Sequence, residues 1–324
     1  DAPWRNRAVL IADDNYSDVT TFGGSGGGFE YCLRNEETRF QTINENVEKL
    51  IKEEGGFRDY DVQPFYLTEL LAGFPEEPGQ SCLVARDKTG VLDYVDLTLS
   101  PSLFVLLSEG AAFVNFQGHG NPVLMAHEQL YMSFGVAQDI DFIFNDGKPW
   151  LFTGFACHLN AYAGIEEGGF FGDGLAERMV NEPVKGAIAS YASTAFELLP
   201  SSTTSHLNLH FHRAFFVDPP YERFAGEVGA RVLVGEAAAL GTARMVASTF
   251  GLERSAALTY VFLGDPLAAM NFGAPRLWAS AADADTLRSG VPYFPTAPED
   301  TVQVDFDVLD ESFLETLTIT QQGE

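Results

Sequence analysis

Two short loops carry the side chains most able to do chemistry. In Phe116-Gln117-Gly118-His119-Gly120-Asn121-Pro122 an imidazole sits between two glycines. In Leu151-Phe152-Thr153-Gly154-Phe155-Ala156-Cys157-His158 a largely apolar run ends on a thiol. A histidine close to a cysteine stabilises the thiolate, which is the nucleophile, and later protonates the leaving amine. Gly120 lets the backbone approach a substrate, so its N–H and that of Cys157 are expected to donate to a developing oxyanion. A lone His or Cys is more often structural. The pair stands out because each follows a buried strand, and doubly wound sheets build their sites at the carboxyl ends of strands.

The elements that must position these loops alternate along the chain. Ala8–Ala12 is a continuous apolar run broken by Asp13-Asp14-Asn15, as a buried parallel strand would be. Thr38–Glu53 has helical spacing, with Phe40, Ile43, Val47, Leu50 and Ile51 on one face. Further strands are expected at 61–67, 112–116, 149–155, 184–190 and 258–263, and Ser100-Pro101 opens a helix that runs to Gly110. This alternation argues for an α/β domain with a mostly parallel six-stranded sheet flanked by helices. Beyond Pro275 come Pro292, Pro295 and Pro298, then the alternating stretch Val302–Phe306, which reads as the first strands of a β-sandwich. The expected organisation is one large α/β domain over 1–274, then a linker and partial C-terminal β-domain over 275–324.

The chain has 324 residues with 19 Lys plus Arg against 46 Asp plus Glu, a net charge of −27. Such a surface repels nucleic-acid phosphates and anionic headgroups, so neither is an expected partner. No apolar run approaches the roughly 20 residues that span a bilayer, so no membrane insertion is expected. Asp1-Ala2-Pro3-Trp4-Arg5 carries no signal-peptide pattern, and the sequence reads as a piece of a longer multidomain chain. Three cysteines, Cys32, Cys82 and Cys157, fit one disulfide plus a working thiol and equally fit three free thiols. If the protein is secreted, Cys32 and Cys82 are the pair.

Asn115–Gly120, Ala126-His127-Glu128, Phe155-Ala156-Cys157, Phe171–Arg178, Gly186–Ser190 and Phe262-Leu263-Gly264-Asp265-Pro266 together resemble peptidase family C25. That family comprises gingipain-like cysteine peptidases and the signal-peptidase branch of type IX secretion. The resemblance covers roughly residues 5–273. It implies a caspase-like fold followed by an immunoglobulin-like domain, a His119/Cys157 dyad, endopeptidase activity on a protein or peptide substrate, and a secreted or cell-surface location. It also implies a carboxylate after the first strand that supports the histidine, for which Asp14 is the first choice and Asp13 the second. Phe196 falls where the family places an aromatic lid on the primary pocket, although as a bare sequence feature it could equally be core. Arginine-specific members carry a pocket acid where this chain has Thr38–Ile43, which holds none; Glu36 and Glu37 lie just before it. A neutral or polar P1 residue is therefore expected. Glu128 matches a family glutamate, and His158 reads equally as pocket rim or spacer.

No cofactor is expected, with structural calcium the one ion left open. Gly23-Gly24-Ser25-Gly26-Gly27 matches the pattern G-x-S-x-G but lies well past the strand, where the nucleophile elbow needs an immediate turn. His206, His210 and His212 form a cluster with two members at helical spacing, yet no H-E-x-x-H pattern or further ligand accompanies them, so no metal is expected. The rival readings are a sortase-like signal peptidase that transfers the acyl group to an amine, and a non-catalytic peptide-binding module of the same fold.

Overall fold

The computed structural model describes residues 3–14, 38–55, 57, 60–70, 98–126, 129–133, 138–162, 173–197, 202–217, 232–249 and 251–270, with the backbone of 278–281, 286–287 and 304–307. Six strands form the main sheet: β1 (Arg7–Ala12), β2 (Asp61–Tyr66), β3 (Phe113–Gln117), β4 (Trp150–Phe155), β5 (Ala187–Ser193) and β6 (Tyr260–Gly264). Their order is β6-β5-β4-β3-β1-β2. All neighbours are parallel except β6, which runs antiparallel to β5 at one edge.

The central strands are apolar throughout because both sheet faces are covered. In β1, Ala8, Leu10 and Ala12 join one core, while Val9 and Ile11 join the other. The first core is closed by α1 (Arg39–Lys49), α4 (Leu207–Phe216) and α5 (Val234–Ser248). The second is closed by α2 (Ser100–Ser108) and α3 (Leu175–Asn181). The result is a three-layer sandwich of helices, sheet and helices. The chain turns to opposite sides of β1, to β2 and to β3, so the sheet has its switch point there, which is where open α/β sheets leave a crevice.

Several expected boundaries move. The fifth strand begins at Ala187 rather than Val184, since Val184 (φ 61°) and Gly186 (φ 81°) are left-handed and make a turn. The sixth begins at Tyr260, after Leu258 and Thr259 finish a helix end by donating to Ser255 and Ala256. The helix expected over 38–53 is α-helical only to Lys49; its last turn, Leu50–Glu54, widens to a π-helix.

Past residue 275 the described backbone forms three short antiparallel strands, Trp278–Ala281, Thr286–Leu287 and Val304–Asp307, the last overlapping the alternating stretch expected there. Among the described residues no helix is long and apolar enough to cross a membrane.

Candidate active site

β3 and β4 pair with Gln117 opposite Phe155, so His119 and Cys157 lie two residues past the same rung of neighbouring strands. The two loops touch. A Cβ placed on Gly120 would lie 2.9 Å from Leu159 Cδ2, 3.1 Å from Ala156 Cβ and 3.3 Å from the Cys157 carbonyl oxygen. Only a residue without a side chain permits that approach.

The His119 loop is fixed at its main chain. Its N–H donates to Asp13 Oδ2 at 2.9 Å, and its carbonyl accepts from Ala126 N–H at 2.9 Å. That second bond closes a small antiparallel ribbon of Gly120–Asn121, Leu124–Met125 and Tyr131–Met132. The Gly118 N–H donates to the Phe155 carbonyl, which ties the loop to β4. Gly118 is also sterically required, because a Cβ there would sit 2.4 Å from Asp13 Cβ and 2.8 Å from Phe116 Cζ. The His119 ring rests edge-on against Phe40 of α1, with centroids 5.3 Å apart. Both carboxylates expected after β1, Asp13 and Asp14, are buried at this strand end. Asp13 reaches the histidine through its backbone N–H.

Cys157 begins the turn that leaves β4. His158 takes left-handed backbone (φ 56°), a conformation uncommon outside glycine, and this bends the chain sharply after the thiol. The turn is held by His158 N–H on the Ala195 carbonyl and Asn160 N–H on the Ser193 carbonyl. The Cys157 sulfur accepts from the Glu197 N–H at 3.2 Å, and its S–H faces the Glu197 carbonyl at 3.5 Å. Burial pushes the thiol pKa up. The Glu197 peptide N–H opposes that rise, and the Glu197 charge adds to it.

The loop after β5 lies beside this turn. Phe196 is 76% exposed and stands edge-on to the His158 ring at 4.4 Å, so it is a surface aromatic and not core. His158 Nδ1 donates to the Thr194 carbonyl at 3.2 Å.

Beneath these loops lies a polar chain that the sequence reading missed. Asn44 of α1 donates to the Ile11 carbonyl (2.8 Å) and accepts from Asn115 (2.7 Å). Thr153 Oγ1 donates to Asn115 Oδ1 at 2.7 Å. Asn208 of α4 donates to Gln117 Oε1 at 3.1 Å, and Gln117 Nε2 donates to the Phe155 carbonyl at 3.1 Å. All five side chains are buried. They link the carboxyl ends of β1, β3 and β4, the three strands that present Asp13, His119 and Cys157. The signal for them was a polar residue inside an apolar pattern: Asn44 one turn after Phe40, and Asn115 and Thr153 within buried strands.

The three histidines of the cluster have separate tasks. His206 caps α4, its Nδ1 accepting from Asn208 N–H, and so lies before the helix and not on its face. His210 faces Ser205 and Ser248. His212 is buried among Phe113, Phe155, Phe211 and Phe216. Among the described residues no group of three His, Cys, Asp or Glu side chains is arranged to hold a metal ion. Glu36, Glu37, Glu128, Cys32, Cys82 and the glycine loop at 23–28 lie outside the described residues.

No curated protein matches the sequence. Among solved structures, the chain is similar to the Arg-specific cysteine proteinase gingipain R (RgpB), with TM-score 0.55 and 14% identity, covering 84% of this chain and 49% of that one. It is also similar to RgpB in the complex of the Porphyromonas gingivalis pro- and mature domains, with TM-score 0.51 and 14% identity, covering 87% and 52%. The chain thus spans about half the length of these structures, which share its fold. Residues 1–271 match Peptidase family C25, and the chain belongs to that family.

Proposed function

We propose that the protein is a secreted or cell-surface cysteine endopeptidase acting on protein or peptide substrates, with Cys157 as nucleophile and His119 as its acid and base. The observation that carries this reading is the contact between the His119–Gly120 and Cys157 loops at the carboxyl ends of adjacent central strands. The raised thiol pKa means that Cys157 needs a proton acceptor at the moment of attack, and His119 is the imidazole on the touching loop.

In this mechanism His119 takes the thiol proton as Sγ bonds to the scissile carbonyl carbon. The resulting oxyanion is stabilised by the Gly120 and Cys157 N–H groups. His119 then gives its proton to the departing amine as the C–N bond breaks, leaving a thioester. Water, deprotonated by the same imidazole, cleaves that thioester and returns the free thiol. Asp14 supports the imidazole, and Asp13 fixes its backbone.

The primary pocket is read as accepting a neutral or polar P1 side chain. Phe196 and His158 form its rim. The start of α1 offers no acid, and the Glu197 carboxylate is already engaged by Tyr260 and His206. A buried P1 cation without a partner would cost several kcal/mol.

The test is labelling with peptidyl acyloxymethyl ketones that differ only at P1, together with cleavage of matched peptides. Wild type should be labelled at Cys157 and cleave, and Cys157→Ala should do neither while keeping its thermal stability. Full cleavage by Cys157→Ala would end the assignment. A preference for Arg of about 100-fold or more, on the order of 2.7 kcal/mol, would show that a carboxylate reaches the pocket.

A further inference from the structure

Glu197 follows the rim aromatic Phe196, and its peptide contacts the Cys157 sulfur on two sides. Its carboxylate turns the other way, into the protein. There it accepts from the Tyr260 hydroxyl of β6 and lies 3.4 Å from His206 Nε2 at the N-cap of α4. Because His206 Nδ1 accepts from the Asn208 N–H, the ring proton sits on Nε2 and points at Glu197. The glutamate and histidine side chains are 9% and 7% exposed, and the ring of Phe155 from β4 packs against both His206 and Tyr260. One residue therefore joins the thiol to the edge strand and to a helix start.

We propose that Glu197 is a positioning residue for the Cys157 nucleophile: its carboxylate, clamped by Tyr260 and His206, holds its own peptide N–H against the sulfur. The inference rests on Cys157 being the reactive thiol. It separates two effects of one side chain. The clamp keeps a hydrogen-bond donor on the sulfur, favouring thiolate, while the carboxylate charge nearby disfavours it. Among the described residues, the other ionisable groups around the thiol and Glu197 include Tyr260 from β6, Tyr191 from β5, His206 at α4, His158 next in the chain, and His119 across on the β3 loop.

Two variants separate the effects. Glu197→Gln keeps the shape: its carbonyl can accept from His206 Nε2–H and its amide can donate to the Tyr260 oxygen, while the charge is gone. Glu197→Ala removes clamp and charge together. The first readout is the pH dependence of iodoacetamide alkylation at Cys157, followed by mass spectrometry of the Cys157 peptide so that Cys32 and Cys82 do not interfere. The second is kcat/KM on peptides with neutral, acidic and basic P1 residues, with thermal melts run in parallel.

The expected result is an alkylation midpoint about half to one pH unit lower in Glu197→Gln than in wild type. Glu197→Ala should fall on the order of tenfold or more below Glu197→Gln in kcat/KM, equally for every P1 residue. Alkylation profiles that coincide for all three proteins overturn the proposal. A loss confined to basic P1 peptides also overturns it, because Glu197 would then be contacting substrate. If wild type cleaves no peptide, the peptidase reading fails, and the alkylation profiles still decide the role of Glu197.

Discussion

His212 offers a quantitative check on the packing beneath the site. Its Nδ1 donates to the Asn208 carbonyl at 2.9 Å, so the bare nitrogen of the neutral ring is Nε2, which is buried with no hydrogen-bond partner among the described residues. Four phenylalanine rings surround it, and burial lowers its pKa to about 4. The unfolded chain takes up that proton near pH 6.5. The stabilising preference for the neutral ring is therefore fully present above about pH 6.5 and is lost as pH falls towards 4. A shift of about 2.5 units corresponds to roughly 3 kcal/mol across that window. His212→Leu keeps similar bulk and cannot titrate, but gives up one hydrogen bond of about 1 kcal/mol. Wild type should thus be the more stable protein at pH 7.5 by about 1 kcal/mol. The order should reverse near about pH 6, with the variant ahead by about 2 kcal/mol at pH 4. Urea titrations followed by circular dichroism at four pH values measure this difference, and the titrations of the other acidic groups cancel in it. Parallel stability curves over pH 4–7.5 would refute the claim that the native ring excludes its second proton.

Two further outcomes test the histidine side of the site. Gly118→Ala forces a methyl against Asp13 and Phe116, which should cost about 1–3 kcal/mol and move Asp13 off the His119 N–H; a melting temperature and kcat/KM equal to wild type would show that the approach is not tight. On the proposed assignment, in which Asp14 orients the ring, Asp14→Ala should lower kcat/KM less than His119→Ala does; equal losses in the two variants would give Asp14 a larger part than orientation.

Much of this arrangement was legible in the chain itself. The apolar run Ala8–Ala12 announced a strand with two covered faces, and the polar break at Asp13 marked its carboxyl end. The same reasoning placed His119 and Cys157 at neighbouring strand ends, where they lie. Strand starts were less legible. Val184 is an apolar residue that the backbone turns outward, 82% exposed, so hydrophobicity extended the fifth strand too far. Glu197 was invisible for another reason. Its meaning comes from Tyr260, 63 residues later, and no local period reports a pairing at that distance. Asn44, Asn115 and Thr153 were visible only as interruptions. Periodicity weighs them as noise, although buried amides and hydroxyls persist in a core because partners satisfy them.

The order of the strands also sets a schedule. The histidine half draws on β1, β3 and the ribbon ending at Met132, and its loop is tied to β4 through the Gly118 N–H on the Phe155 carbonyl. The cysteine half needs β4, β5 and finally β6, whose Tyr260 completes the grip on Glu197. A ribosome delivers the chain from its N-terminus, so His119 and the β4 carbonyl that ties its loop are made before Tyr260, the last support around the sulfur. Contacts of such long sequence separation form late because loop closure precedes their reward. A nascent chain therefore carries both loops before it carries the edge strand that completes the surroundings of Cys157, a built-in delay between making the central sheet and finishing its carboxyl edge.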